Sequence, residues 1–415
     1  MEWALRARSA RSTITKGRNV NPRPLRVLIL TSSTGGGHDT RARALRDWAA
    51  RESAQPGARP WEIELSQALE DTHAIYRLGV EIYNVIQRRC PWLHHVYYNI
   101  LEFVSFCGGG REETIAGRSR FMAVVRKARP DLVVSTHDHL NHGFFTAAKA
   151  ALPDAPPKCA TYCTELHGGY GFSRHWVNPA ADLFIGAVEE SCAEARRLKM
   201  PAERSWLGGF LLDPAFWSPP DAAADEKFVR EELKLEPGRF TLLLSTGANS
   251  AQNHRALLDA LLAGGALPAP VQVVALCGHD ERTRMEMQSW AQQHPELPLR
   301  ALPRVSNLAQ LMRVTSVVVA RPGTGTTSEA ILSGVPILFN TLGGIMPQEI
   351  ITVNFCREHG FGRVLKQPAD LAAAVRNWLA DPKSLAAERA RVLAARPPRT
   401  PADIMRRLRE LVEQG

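Results

Sequence analysis

A histidine follows a run of glycines near the start of the chain, in the sequence Thr-Gly-Gly-Gly-His at residues 34–38. An apolar run at residues 25–30 predicts a buried strand before it, and Ala44, Leu45 and Trp48 have helical spacing after it. Glycines let a backbone approach a ligand closely, and an imidazole with a pKa of about 6.5 can take a proton from a hydroxyl. His38 is therefore a candidate general base, with Asp39 as a competing base or an orienting partner.

The same loop has simpler explanations. His38 can instead cap the helix without moving a proton. No lysine follows the glycines, which argues against a P-loop, and the Gly-x-Gly-x-x-Gly pattern of dinucleotide-binding loops is absent. Close backbone approach at Gly36 and Gly37 therefore points to a ligand of another class.

A second strand, loop and helix unit lies in the C-terminal part of the chain. Residues 317–320 form a β-branched run, residues 321–325 interrupt it with a proline and two glycines, and a helical pattern starts at Thr326. The N-terminus of such a helix offers unpaired N–H groups and a positive dipole end to an anion. Hydroxyl groups at Thr324, Thr326, Thr327 and Ser328 add donors where a phosphate would bind.

Polar side chains follow that helix and the next strand. Glu329, one turn into the helix, can accept hydrogen bonds from a sugar diol, and Gln348 and Glu349 lie in an irregular loop beyond the strand at residues 335–339. Ligands of parallel α/β sheets bind outside the carboxyl ends of the strands, where these residues fall. For the glycine loop taken alone, an ordinary connection between strand and helix remains the alternative.

Length and composition bound the class of protein. A chain of 415 residues is long for one hydrophobic core and predicts two domains. No apolar run is long enough to span a bilayer as a helix, and the basic N-terminus lacks the apolar stretch of a secretory signal. Seven cysteines without a Cys-x-x-Cys pair predict reduced thiols in the cytoplasm rather than a disulfide framework.

The formal net charge of +9 favours an anionic partner. Residues 1–24 hold six basic side chains against one acidic one, which predicts a flexible basic arm. Zinc-finger spacing and an aromatic RNA-binding signature are both absent, so we expect no nucleic acid partner. An anionic membrane surface fits the charge better.

The two glycine loops together resemble signatures of a known family. Thr-Gly-Gly-Gly-His after the first strand, Arg-Pro-Gly-x-x-Thr-x-x-Glu-Ala at residues 321–330 and the later Gln-Glu pair are similar to motifs of a lipid glycosyltransferase family. Its members include monogalactosyldiacylglycerol synthases, bacterial diacylglycerol glucosyltransferases and, more distantly, the N-acetylglucosaminyltransferase of peptidoglycan synthesis. The resemblance covers nearly everything after residue 24.

This resemblance implies a GT-B fold, in which two Rossmann-like, doubly wound α/β domains face each other across a cleft that holds a UDP-sugar. It implies that Glu329 binds the ribose, that Gln348 and Glu349 bind the donor sugar, and that the Val305 backbone pairs with the uracil. The sequence has no Asp-x-Asp motif, so we expect no metal ion. We expect no other cofactor either, because the UDP-sugar is a substrate. The remaining donor-binding residues are Gly323, Thr324, Gly325 and Thr326, which would face the diphosphate, and Gly247 and Asn249.

On the acceptor side the resemblance adds three residues to Gly36, Gly37 and His38. His137 follows a predicted strand, Glu165 ends another, and Trp176 belongs to a Trp-x-x-Pro segment. The three histidines at residues 137–142 also permit a zinc site, but a fourth ligand is missing at a recognisable spacing, so we predict no metal.

The sequence departs from the family pattern at several places, including Ser173 and Asn178, which stand where members carry histidines. Serine stands at position 33, where members often carry an acid, and Glu165 replaces an aspartate. Only Gly247 remains of several glycines after a second-domain strand. Arg304 replaces a phenylalanine at the uracil turn, and Thr352 replaces an asparagine, which puts the choice of sugar in question.

Residues 72–106 form an aromatic and basic segment with a helical period at Ile75, Leu78, Ile82, Val85 and Ile86. In the resembled family this position meets the bilayer and receives the lipid acceptor, and an amphipathic surface of this kind suits the boundary of lipid and water. Packing against the first sheet is an equal alternative. The aromatic members of the segment are Tyr76, Tyr83, Trp92, Tyr97, Tyr98, Phe103 and Phe106.

We predict a basic arm at residues 1–24, an acceptor and membrane domain at 25–213, a UDP-sugar domain at 214–381 and closing helices at 382–415. The predicted reaction is inverting transfer of galactose or glucose from a UDP-sugar to diacylglycerol at the cytoplasmic face of a membrane. Two alternatives stay open: a transferase or epimerase with a non-lipid substrate, and a non-catalytic nucleotide-binding protein of the same fold.

Overall fold

The structure, a computed structural model, describes residues 23–34, 36–89, 93, 95–96, 98–100, 115–245 and 253–414. Two parallel sheets of six strands organise this part of the chain. Apolar side chains fill a core on each face of both sheets. The prediction of two Rossmann-like α/β units is therefore confirmed.

The first sheet has the strand order β2-β1-β3-β4-β5-β6. Every residue of β3 and of β5 is buried, as expected of parallel strands whose faces are both covered by helices. The strands are β1 (Leu25–Thr31), β2 (Trp61–Gln67), β3 (Leu132–Ser135), β4 (Lys158–Cys163), β5 (Leu183–Gly186) and β6 (Ser205–Leu207).

Because these strands run parallel, the loops after β1, β3 and β4 all leave from the same edge of the sheet. The predicted acceptor-side residues Gly36, His137, Glu165 and Trp176 lie in the connections after these strands, and Gly37 is the first residue of the helix that follows β1. The helices of this half are α1 (Gly37–Ser53), α2 (Ala68–Thr72), α3 (Ala74–Arg89), α4 (Arg118–Ala128), α5 (Gly143–Ala151) and α6 (Glu189–Arg197).

The second sheet has the order β12-β11-β10-β7-β8-β9. Its strands are β7 (Phe240–Ser245), β8 (Val271–Leu276), β9 (Leu299–Leu302), β10 (Val317–Ala320), β11 (Ile337–Asn340) and β12 (Arg363–Leu365). Its helices are α7 (Ala222–Lys227), α8 (His254–Ala263), α9 (Glu281–Gln293), α10 (Leu308–Arg313), α11 (Thr324–Ser333), α12 (Pro347–Glu358), α13 (Pro368–Ala380), α14 (Pro382–Ala394) and α15 (Pro401–Glu413).

The starts of two helices in the second half follow from the residues that precede them. Helix α7 begins at Ala222, because Asp221 caps it by accepting a hydrogen bond from the Ala224 amide at 3.0 Å. It then continues as a π-helical turn over Phe228–Glu232. Helix α11 begins two residues before the expected Thr326, directly after Gly323.

Buried contacts join the two sheets. Leu166 and Leu212 from the first half share one core with Phe339 and Phe355 from the second. Helix α15 packs its apolar stripe against the core of the first sheet through Ile404, Met405 and Leu408. Among the helices that the structure describes, none combines the length and the hydropathy needed to cross a bilayer.

Candidate active site

A cavity of about 490 Å³ lies at the carboxyl edge of the first sheet. Its walls come from the loops after β1, β3 and β4, from α3, and from one residue of α12 in the second half of the chain, Gln348. Four predicted residues that are distant in sequence line it together: His38, His137, Glu165 and Trp176.

The first glycine loop places His38 at this cavity. Gly36 caps α1 with a φ of 77°, a left-handed conformation that glycine adopts without strain. The His38 Nδ1 then lies 2.8 Å from the carbonyl oxygen of Thr136. A carbonyl only accepts hydrogen bonds, so Nδ1 carries the proton and Nε2 is the basic nitrogen. Burial lowers the pKa of His38 to about 3, and His137 acts in the same direction, so the imidazole is neutral.

His137 and Asp138 surround the His38 ring. The two imidazole centroids are 4.3 Å apart, and the His137 Nε2 lies 2.8 Å from the hydroxyl oxygen of Thr34. Burial opposes the charge on Asp138, but His139 and His137 outweigh it and hold the pKa of that carboxyl well below its usual range. The Asp138 charge raises the pKa of His38 in part, so it favours a proton on that ring.

Glu165 lies at the same cavity in a different protonation state. It is 8% exposed, and its Oε2 is buried with no hydrogen-bond partner in the part of the chain that the structure describes. Burial, and next to it the charge of Asp138, together raise the pKa of Glu165 to about 8. The carboxyl group is therefore protonated at neutral pH and can donate a hydrogen bond. Trp176, which hydrogen-bonds this carboxyl, has its ring 5.8 Å from the His38 ring.

Asp39 has partners other than His38. Its carboxylate pairs with Arg43 and accepts a hydrogen bond of 2.6 Å from the Gln67 side-chain amide. The orienting acceptor for His38 is instead the carbonyl of Thr136. Backbone geometry, which no sequence motif encodes, fixes the tautomer of the candidate base.

Glu70, which no sequence motif indicated, lies beside the loop that precedes His38. Its Oε1 accepts hydrogen bonds from the Ser33 amide at 2.8 Å and from the Ser33 hydroxyl at 2.7 Å. A carboxylate from α2 thus lies beside position 33, where the resembled family often carries an acid in the loop itself. The proximity arises from the packing of α2 beside β1, so no local pattern indicated it.

In the second half, the N-terminus of α11 is open to a ligand. Its N-cap, Gly323, provides no side-chain cap, and Gly323, Thr324, Gly325 and Thr326 are all partly exposed. The first amides of a helix have no acceptor within it, so they remain available to an anion. Two further predicted donors lie within the helix: the Ser328 hydroxyl donates to the Thr324 carbonyl at 2.7 Å, and Thr327 is fully buried.

Glu329 lies one turn further along α11 and is mostly buried. Burial raises the pKa of its carboxyl, whereas Arg41 on α1 lowers it. A residue of the first half therefore affects the pKa of the carboxyl group that is predicted to bind the ribose.

Gln348 and Glu349 differ in the partners of their side chains. The Gln348 side-chain amide donates to the Tyr83 hydroxyl at 3.0 Å and lines the cavity. Glu349 is buried, forms a two-pronged ion pair with Arg321 and accepts the Met346 amide at 2.9 Å. Gln348 is thus the member of the pair that lines the cavity.

Four further positions belong to the predicted donor side. Val305 is partly exposed in the loop between β9 and α10, and Thr352 is fully buried. Gly247 and Asn249 lie outside the described residues. Among the residues that are described, no cluster of three or more His, Cys, Asp or Glu side chains could hold a metal ion.

Comparisons with curated proteins match the chain over most of its length. Monogalactosyldiacylglycerol synthase 1 of Arabidopsis thaliana is 23% identical over 368 residues, which cover 86% of this chain and 65% of that protein. The processive diacylglycerol beta-glucosyltransferase of Bacillus pumilus is 23% identical, with 87% and 88% covered. The resemblance that the motifs indicated is confirmed. No protein-family model matches the sequence.

Superposition on solved structures identifies the fold. MurG of Acinetobacter baumannii superposes with a TM-score of 0.56 at 12% identity, covering 93% of this chain and 99% of its own. HepE of Anabaena, solved with UDP and glucose, superposes with a TM-score of 0.53 at 15% identity, with 94% and 100% covered. The chain has the GT-B fold. In this GT-B structure, the cavity with His38 belongs to the first sheet, and Gln348 reaches it from the second.

Proposed function

We propose that this GT-B protein is an inverting glycosyltransferase that moves a hexose from a UDP-sugar to a lipid hydroxyl, with diacylglycerol as the acceptor. The curated relatives support this choice by their names, because one is a monogalactosyldiacylglycerol synthase and another a diacylglycerol beta-glucosyltransferase. The HepE structure, solved with UDP and glucose, supports a UDP-sugar as the donor.

One observation carries the proposal: His38 and Gln348 line the same cavity, although they belong to different halves of the chain. A transferase must bring the acceptor hydroxyl and the anomeric carbon of the donor together. His38 is the candidate base for the hydroxyl, and Gln348 is the candidate ligand of the sugar. Their shared cavity is the space in which the two substrates would meet.

The chemistry follows from the groups at this cavity. As the acceptor oxygen bonds to C1 of the sugar, its proton moves to the His38 Nε2. The bond from C1 to the phosphate oxygen breaks, and its electron pair leaves with UDP. The N-terminus of α11 would stabilise the negative charge that develops on the diphosphate. Protonated Glu165 would donate a hydrogen bond to an oxygen atom of the acceptor substrate.

The exposed apolar face of helix α3 is evidence for a lipid acceptor. Ile75, Leu78, Ile82 and Val85 are 44–61% exposed at spacings that place them along one face. Ile75 also lines the cavity, as do Tyr76 and Tyr83 from the same helix. An exposed apolar stripe that continues into the cavity fits a surface lying on a bilayer, through which a lipid would reach His38. We propose that the protein works in this way on the cytoplasmic face of a membrane.

Direct assay tests the proposal. The protein is incubated with radiolabelled UDP-galactose, UDP-glucose or UDP-N-acetylglucosamine, each with vesicles that contain diacylglycerol, and the lipids are separated. A labelled glycolipid with a β-linked sugar, formed from an α-linked donor, is the expected product. Label appearing in a water-soluble acceptor or an epimerised sugar nucleotide would favour the other enzyme class, and UDP binding without turnover would favour a silent nucleotide-binding protein.

A further inference from the structure

A buried arginine lies between the two candidate substrate sites. Arg41 is on α1, three residues after His38, so the two side chains lie on neighbouring turns of one helix. It is 3% exposed, although arginine is almost never fully buried without a partner. The chemistry described so far assigns it no role.

The guanidinium group of Arg41 approaches the N-terminus of α11. Helix α1 packs against α11, and Arg41 Nη2 lies 3.9 Å from the point that a Cβ on Gly325 would occupy. Its Nη1 is buried and has no hydrogen-bond partner among the residues that the structure describes. A cationic donor from the first half of the chain therefore lies against the helix terminus that is open to an anion.

The energetics of burial favour an anion at this place. A buried charge that lacks a partner is strongly destabilising, because it has lost its contact with water and gained no counter-charge. Glu329 lies near enough to interact with Arg41, but burial opposes the charge on that carboxyl and raises its pKa. A diphosphate at the α11 N-terminus would supply both negative charge and acceptor oxygens.

We propose that Arg41 binds the diphosphate of the sugar donor from the domain opposite to the one that holds the nucleotide. The inference rests on the proposed function, which supplies the diphosphate. Helix α1 would then present the base His38 to the acceptor and the cation Arg41 to the leaving group. When the bond from C1 to the phosphate oxygen breaks, the charge gained by UDP develops beside the guanidinium.

Arg41→Met tests the proposal, because methionine keeps an apolar stem and removes the charge. Calorimetry measures the affinity for UDP, and ligand-detected NMR measures the affinity for uridine, which lacks phosphate. UDP affinity falls by about tenfold to hundredfold, as expected on losing a charge-assisted hydrogen bond, and uridine affinity stays unchanged. Arg41→Lys retains part of the UDP affinity. The matched control is Arg46→Gln, which removes an exposed arginine of the same helix and leaves both affinities unchanged.

A second measurement separates ligand binding from a structural role. Without ligand, Arg41→Met melts at the wild-type temperature or above, because it removes an unpaired buried charge, and the rise in melting temperature on adding UDP shrinks. Lower stability without ligand, or equal losses of UDP and uridine binding, would mean that Arg41 only holds the domains together. If Arg41→Met binds UDP as tightly as the wild-type protein does, the inference about Arg41 is wrong and the proposed function is unaffected. If the wild-type protein itself binds no UDP, both the inference and the proposed function are wrong.

Discussion

The side-chain amide of Gln348 donates a hydrogen bond of 3.0 Å to the hydroxyl of Tyr83. Tyr83 is on α3 beside the first sheet, and Gln348 is on α12 beside the second, so this bond joins the two halves of the GT-B structure at the cavity wall. The bond fixes the orientation of the amide group that is proposed to meet the donor sugar.

Tyr83→Phe removes that acceptor and keeps the ring. We expect the KM for the UDP-sugar to rise about fivefold, the equivalent of about 1 kcal/mol for one hydrogen bond. The affinity for UDP alone should not change, because the proposed partner of Gln348 is the sugar. In the double variant with Gln348→Ala, the tyrosine change should add nothing further. If Tyr83→Phe weakened the binding of UDP and of the UDP-sugar equally, Tyr83 would not have this role.

His38→Ala should reduce turnover by about tenfold or more while UDP binding persists, because a positioned general base contributes at least that much. Steady-state kinetics and UDP titration measure the two quantities separately. His294→Ala is the matched control, since His294 pairs with Glu296 on the surface. Turnover at the wild-type level in His38→Ala would exclude His38 as the base.

Glu165 should determine the alkaline limb of the pH profile. Burial raises its pKa to about 8, so the hydrogen-bond donor is present below that pH and is lost as the pH rises through it. The pKa of His38, lowered to about 3, keeps the base neutral over the same range. We therefore expect kcat/KM to be flat at neutral pH and to fall above pH 8.

Glu165→Gln is the matched variant for this limb, because its amide donates a hydrogen bond at every pH. Its kcat/KM should remain level where the wild-type value falls. A variant that keeps the wild-type alkaline limb would assign that limb to another group.

Glu329→Ala should weaken UDP binding by about tenfold, since a carboxylate that accepts ribose hydroxyls is lost from a buried site. The diagnostic ligand is UDP without its 2′ and 3′ hydroxyls. Wild-type protein should bind it less tightly than UDP, and Glu329→Ala should bind the two alike. Glu281→Gln, at an exposed ion pair on α9, serves as the control. Persistent discrimination between the two ligands in Glu329→Ala would place the ribose elsewhere.

Replacing Ile75, Leu78, Ile82 and Val85 by serine should reduce binding to anionic vesicles by about tenfold or more, because less apolar surface enters the bilayer boundary. These side chains are exposed, so the fold should persist. Flotation with vesicles measures the effect, and Met285→Ser, at an exposed residue of α9, is the control. Vesicle binding that does not change would remove α3 as the membrane surface.

The strand and helix units around both glycine loops were predictable because their signals act over a few residues. Buried apolar runs specify β1 and β10, and glycine at position 36 permits the left-handed turn that begins α1. The final helix also starts on a local pattern of Thr400, Pro401 and Asp403, in which the Asp403 carboxylate accepts a hydrogen bond from the Thr400 amide at 3.0 Å. The resemblance to lipid glycosyltransferases rested on these same local motifs.

The protonation states and partners at the site were not predictable in this way. Glu70 beside Ser33, Arg41 beside Gly325 and Tyr83 beside Gln348 are separated along the chain and meet through packing. Burial is the largest cause that leaves a proton on Glu165 and none on His38, and the neighbouring charges add to it, so both states depend on the surrounding atoms. The sequence by itself determined which chemical groups stand at the strand ends. The tertiary structure decided which groups meet and what charge each one carries, since both depend on distances through space.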